Sequence, residues 1–205
     1  MELHEPEGAT PLTPDELRGL KATHITNRGE LNELESANII DGLTWLDRRP
    51  KRFDLLTDQS ARDIHERLFG GVWAWAGDYR LTEKNIGVPV WEILTEMRTC
   101  LDDARYWREH KTYDPLEATT RLHHRLVWVH PFANGNGRWA RIMADTYLAS
   151  IDQDVFLDWS GGGDLQTDNT HRAKYIAALQ SADLFEFEPL TAFVRGIARN
   201  GANSL

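Results

Sequence analysis

His130-Pro131-Phe132-Ala133-Asn134-Gly135-Asn136-Gly137-Arg138-Trp139-Ala140-Arg141 is the stretch from which the rest of the chain is read. It follows an apolar run in which Leu122, Leu126 and Val129 share one helical face. His130 precedes a proline, which pushes a residue out of the helical region. A helix therefore ends at His130, a tight polar loop follows, and a new helix opens near Gly135 to Gly137 and runs through Ala149. Gly135 and Gly137 let the backbone turn sharply and approach a ligand, aiming successive N–H groups into one concavity suited to an anion. The start of the new helix adds its positive end to the same place. Arg138 and Arg141, three residues apart, lie on one side of that helix and can fork onto phosphate oxygens. His130, with an ordinary imidazole pKa of ~6.5, suits removal of a proton from an incoming hydroxyl at neutral pH. Asn134 offers a carbonyl oxygen to a hard Mg2+ ion, which would take its other ligands from phosphate and water.

Working outward, helical signals dominate. Thr13-Pro14-Asp15-Glu16 reads as a capping box with proline at the first helical position, opening a short helix to about Ala22. Leu31, Leu34, Ile39, Leu43 and Leu46 predict a second helix to Asp47 or Arg48, closed by Pro50. Residues 59–70 predict a third, stopped by Gly70-Gly71. Val90, Leu94, Met97, Leu101 and Ala104 fall on one stripe of a fourth. Asp114-Pro115-Leu116-Glu117 caps the helix that ends at His130. Past the glycine-rich loop 158–169, two closing helices fit His171 to Ala182 and Pro189 to Arg199. Between Tyr79 and Val90 the apolar period fades, and Thr82, Ile86, Gly87 and Pro89 suit a short hairpin or extended loop, a flap.

Composition bounds the class of protein. The chain has 205 residues, 41% hydrophobic and 27% charged, which fits one well-buried soluble domain. A net charge of -9, with no basic run longer than Arg48, Arg49, Lys51 and Arg52, argues against direct nucleic-acid binding. No apolar stretch is long enough to span a membrane, and the first residues lack a signal-peptide pattern, so a cytoplasmic protein is expected. The single Cys100 reads as a buried small residue. His123 and His124 have no further ligand at metal spacing and read as structural histidines. Tyr175 is placed either to cover a nucleobase or to sit in the core.

The run from His130 to Arg141 resembles the signature of the Fic (Fic/DOC) family, H-x-F-x-[D/E]-G-N-G-R-x-x-R, at His130, Phe132, Gly135, Asn136, Gly137, Arg138 and Arg141. With residue usage near 5%, seven fixed positions coincide by chance on the order of once in a billion starting points. WAGDYR at 75–80, LHHRLVWVHPF before the loop and Tyr175-Ile176-Ala177-Ala178-Leu179 extend the resemblance over most of residues 57–198. THIT, GELNELE and NI near the N-terminus resemble the branch labelled "mobile mystery protein B". The family implies an all-α, Fic-type helical bundle with a small β-hairpin flap. Residues 1–56 would then be N-terminal helices with an inhibitory segment, forming one unit with a core at 57–199.

The resemblance also implies protein adenylyltransfer: ATP as substrate, Mg2+ as metal, and AMP passed to a Ser, Thr or Tyr hydroxyl of a protein. His130 would be the base, Gly135, Asn136, Gly137, Arg138 and Arg141 the phosphate site, Tyr175 part of the nucleotide pocket and Asn134 the metal ligand. Asn134 stands where the family prefers a carboxylate, which weakens the metal site. Thr26 to Glu30 matches an inhibitory pattern, with Glu30 pairing with Arg141 and Glu35 as second candidate. Thr82, Ile86, Gly87 and Val88 would form the flap that docks the target. A de-AMPylating hydrolase, a kinase-like phosphotransferase and a non-catalytic nucleotide-binding module stay open as alternatives. So do a homo-oligomer and a DNA-binding partner protein encoded nearby.

Overall fold

The computed structural model describes residues 11–22, 25, 27–49 and 53–201. Its helices are α1 (Pro14–Leu17), α2 (Arg28–Asp47), α3 (Asp58–Phe69), α4 (Ile93–His110), α5 (Pro115–Val129), α6 (Asn136–Ile151), α7 (Thr170–Asp183) and α8 (Glu188–Ile197). Two short strands, β1 (Val155–Leu157) and β2 (Ala198–Asn200), pair antiparallel with Phe156 opposite Arg199. The caps read from sequence close several of these helices. Thr13 and Glu16 exchange both bonds of the capping box, and Asp114 accepts from the N–H groups of Leu116 and Glu117.

The core lies where α5 and α6 pack together and against α3 and α4. Leu122, Leu126 and Val129 of α5 and Trp139, Ala140, Met143 and Tyr147 of α6 are wholly buried. Burial of each large apolar side chain contributes about 1.5–3 kcal/mol. The polar ends of the two large aromatics are satisfied, since Trp139 Nε1 donates to the Ala61 carbonyl at 3.0 Å and the Tyr147 hydroxyl to that of Ala104 at 2.8 Å. A second cluster, with Tyr175, Leu179 and Leu190, joins α7 to α8. Cys100 is buried, and burial pushes its thiol pKa up. Among the described residues no helix is long and apolar enough to cross a membrane.

Three features differ from the sequence expectation. Helix α1 stops at Leu17 rather than Ala22, because Lys21 N–H donates to the Val72 carbonyl and Leu20 bridges Trp73, which draws the chain off its own helix. The segment 79–90 is an irregular loop and not a hairpin. Only Tyr79 is bridged, to Phe132, while the carbonyls of Thr82 and Val88 accept from the Arg80 guanidinium instead of a facing strand. The two strands β1 and β2, which the sequence did not signal, lie elsewhere and tie the end of α6 to the end of α8. Pro50 lies outside the described residues.

Helix α2 seats on α3 through Gly42, where an added Cβ would sit 2.8 Å from the Arg67 carbonyl and 2.9 Å from a Leu68 methyl. Gly42→Ala must push the two helices apart. It is expected to lower unfolding stability by about 1–3 kcal/mol in urea denaturation, despite alanine's better helix propensity.

Candidate active site

The loop between α5 and α6 is locked by one side chain. Asn136, at the first position of α6 and buried, accepts from Phe132 N–H through Oδ1 at 2.9 Å and donates from Nδ2 to the Phe132 carbonyl at 2.8 Å. These reciprocal bonds close the turn 132–136 and leave the chain entering α6 through Gly135, whose φ is +79°. Only glycine fits there, since a Cβ would also meet the Phe69 ring at 2.8 Å. Beneath the loop His65 stacks on Phe132 with ring centroids 3.6 Å apart. Gly77 N–H donates to His65 Nδ1 at 3.0 Å, so the proton sits on Nε2, which donates to the Asn134 carbonyl at 3.0 Å. Burial depresses the His65 pKa to about 3, which keeps that tautomer neutral.

His130 caps α5 in the left-handed region, with φ 52° and ψ 57°. Its Nδ1 lies 3.4 Å from the Val127 carbonyl, an acceptor only, so the ring proton belongs on Nδ1 and the lone pair on Nε2. Burial first, then the charges of Arg80 and Lys84, lower its pKa to about 4. The imidazole is neutral at pH 7.

Both motif arginines are held by other side chains. Arg138 donates to Glu35 at 2.6 Å, lies 3.4 Å from Asn134 Oδ1 and stacks over the Phe69 ring at 4.8 Å. Glu35 is 2% exposed and also accepts from Trp73 Nε1 at 2.7 Å, so this carboxylate of α2 is buried between Trp73 and Arg138. Arg141 is hydrogen-bonded to Tyr175, whose hydroxyl lies 2.8 Å from His123 Nε2. Asp145, one turn further along α6, accepts from Trp159 Nε1 at 2.8 Å and has its pKa raised by burial to about 7. His124 binds Asp183 at 2.9 Å, so both adjacent histidines have structural partners.

His130, Asn134, Gly135, Asn136, Gly137, Arg138, Arg141, Tyr175, Ile86 and Gly87 line one cleft. The Asn136 side chain, however, is spent on the loop, which leaves its backbone N–H to face a ligand. Thr82 and Val88 do not line the cleft. Thr82 donates to Glu16, and Val88 is buried under the loop. Thr26 lies outside the described residues. Glu30 is exposed on the first turn of α2, and the expected Glu30–Arg141 pair is absent from the ion pairs of the described residues; the carboxylate that meets a motif arginine is Glu35, on Arg138. One helical turn and a half separates positions 30 and 35, and Asn27 caps α2 so that Glu35, not Glu30, faces inward. His65 and Arg80 were not singled out. His65 carries a readable signal, standing one residue after Ile64 and three before Leu68 on the apolar face of α3.

Apolar Val127, Leu165, Ile176 and Leu179 form the far wall of the cleft, with Arg172 and Gln180 among its polar groups. Apolar side chains in the same cleft as the positive end of a helix and two arginines can take a base on one side and phosphates on the other.

The profile of the Fic/DOC family matches residues 55–148. Protein adenylyltransferase fic-1 of Caenorhabditis elegans is 28% identical over 163 residues, 76% of this chain and 29% of that one. Its Caenorhabditis briggsae counterpart is 30% identical over 70% of this chain and 27% of its own length. The chain thus spans less than a third of these relatives. The solved Fic-1 fragment of C. elegans superposes with TM-score 0.68 at 22% identity, covering 91% of this chain and 55% of that one. BepC of Bartonella tribocorum, solved with bound AMPPNP, superposes at 0.66 and 17% identity, covering 92% of this chain and 100% of that one. The matched span of the Fic/DOC profile, residues 55–148, includes the loop between α5 and α6, and the chain shares the fold of these solved Fic structures.

Proposed function

We propose that the chain transfers the AMP part of ATP to a hydroxyl of a protein, with His130 as general base. The observation that carries this reading is that His130, at the C-terminal end of α5, lines one cleft with the N-terminal end of α6 and its two arginines. The hydroxyl oxygen attacks the α-phosphorus while His130 Nε2 takes its proton. The bond to the bridging oxygen breaks, and pyrophosphate leaves with the electron pair. The N–H groups at the start of α6 and the guanidinium groups of Arg138 and Arg141 would stabilise charge on the phosphates, so the protein acts by positioning and electrostatics. The adenylyltransferase names of the relatives and the AMPPNP of BepC support the choice of donor.

Asn134 fits a Mg2+ ion that arrives on the phosphates better than a resident one. Its Oδ1 is a single neutral ligand that already accepts from Gly135 N–H at 2.5 Å, and the described residues hold no group of three His, Cys, Asp or Glu side chains able to bind a metal. Such an ion would supply charge neutralisation between phosphate oxygens.

Glu35 is the inhibitory residue in this reading, because its carboxylate occupies the guanidinium that a phosphate needs. Glu35→Gly should raise the transfer rate by about 5-fold or more, and Glu30→Gly should change it less. Labelling with ATP carrying 32P at the α-phosphate checks the reaction itself. His130→Ala is expected to lower the rate by about 10²–10⁴-fold. Label passed only from the γ-phosphate would replace the reading with a kinase-like one, and nucleotide binding without transfer in Glu35→Gly would replace it with a binding module.

The pH profile is a separate check. A base with a depressed pKa stays unprotonated, hence active, down to that value. The rate should therefore hold steady from pH 8 to about pH 6 and fall only as pH approaches about 4. An acid limb near ~6.5, the ordinary imidazole value, would contradict the burial argument.

A further inference from the structure

Arg80, the last residue of WAGDYR, is a buried cation outside the motif. Its side chain is fully buried, and its guanidinium serves three backbone carbonyls. Nε donates to His130 at 2.8 Å, Nη1 to Thr82 at 2.9 Å and Nη2 to Val88, while its own N–H donates to Pro131 at 2.9 Å. The side chain therefore holds both limbs of the loop 81–90 and the His130 carbonyl, while the backbone N–H of the same residue holds the Pro131 carbonyl. The loop closes tightly over the same place. A Cβ at Gly87, whose φ is +103°, would meet the His130 Cβ at 2.6 Å and Arg80 Nη2 at 2.9 Å.

We infer that Arg80 is a positioning residue for His130: its fork on the His130 carbonyl and on both limbs of the 81–90 loop holds the imidazole in the left-handed corner from which it faces the cleft. This rests on the reading of His130 as the base. A histidine in the left-handed region is strained and persists only where surrounding bonds fix it. The α5 side supplies one such bond, His130 N–H to the Leu126 carbonyl at 3.2 Å, and Arg80 supplies the bond on the other side of the residue.

Pinning a loop does not by itself require a charge. Burying a cation among carbonyls is costly, and the nearest carboxylate, Glu83, is 3.6 Å away and largely exposed. The charge has a second consequence at His130. Arg80 and Lys84 from the loop both disfavour its protonated form, in the same sense as burial, and Arg138 and Arg141 line the same cleft from α6. Lys84 is itself held away in a buried pair with Glu16 at 2.6 Å, so Arg80 is the cation bonded directly to the His130 backbone.

Arg80→Lys and Arg80→Met separate geometry from charge. In α-labelled ATP assays both are expected to lower kcat by about 10- to 100-fold while the KM for ATP stays within about 2-fold of wild type. NMR titration of the His130 ring should show a raised pKa in Arg80→Met and little change in Arg80→Lys. If Arg80→Met does not fold by circular dichroism, Arg80→Gln, neutral but still a donor, takes its place in both readings. Folded variants with wild-type kcat and an unmoved His130 titration would overturn the inference and leave Arg80 a staple of the loop alone. If the wild type transfers nothing, the proposed reaction fails, yet the titration still decides: a raised His130 pKa in Arg80→Met sustains the coupling and an unmoved one removes it.

Discussion

The pair of hydrogen bonds between the Asn136 amide and the Phe132 backbone is the constraint on which the site depends. A loop of this length between two packed helices exposes several backbone groups to a dry interior, and each unpaired one costs about 1–3 kcal/mol. Asn136 satisfies two of them at once and sets the direction in which α6 begins. Gly135 then takes the left-handed turn against Phe69, and His65 fills the space under Phe132 while holding the Asn134 carbonyl. The arginines of α6 face the cleft because the helix starts at that residue and no other. Displacing the start by one position would rotate Arg138 and Arg141 by ~100° around the axis.

A second constraint is the handling of charge. Guanidinium groups gather in and beside the cleft, and three of them are matched differently. Arg138 meets a carboxylate delivered by α2, Arg141 meets the Tyr175 hydroxyl backed by His123, and Arg80 meets carbonyls. The imidazoles stay neutral chiefly because they are buried, with a nearby guanidinium acting in the same sense at each, His65 and His123 with pKa values lowered to about 3 and His130 to about 4. A polyanion entering this cleft would find donors oriented in advance, which is the arrangement electrostatic catalysis needs. To reach Arg138 it would have to displace Glu35.

The helices were legible in the sequence because their signals are local. Asp114-Pro115, His130-Pro131 and the apolar stripe of α5 placed that helix to the residue, and the motif placed the turn after it. What was not legible depends on distant partners. α1 ends early because of residues 72 and 73, some 50 positions away, and the 81–90 loop lacks strands because one arginine takes its carbonyls. The choice between Glu30 and Glu35 could not be made from spacing alone, since both are acidic residues of one helix and only docking on α3, with Trp73 waiting for a partner, selects the second. β1 and β2, three residues each, are too short to show a period.

Calorimetric titration of ATP into Asn136→Ala tests this account most directly. The Asn136 side chain points away from the cleft into the loop, so a contact-based view predicts no change in affinity, whereas a cradle shaped by that side chain predicts a large one. With the protein folded by circular dichroism, affinity should fall about tenfold or more, the equivalent of losing about 1.4 kcal/mol of preorganisation. Wild-type affinity in a folded Asn136→Ala protein would contradict the claim that the Asn136–Phe132 lock builds the nucleotide site.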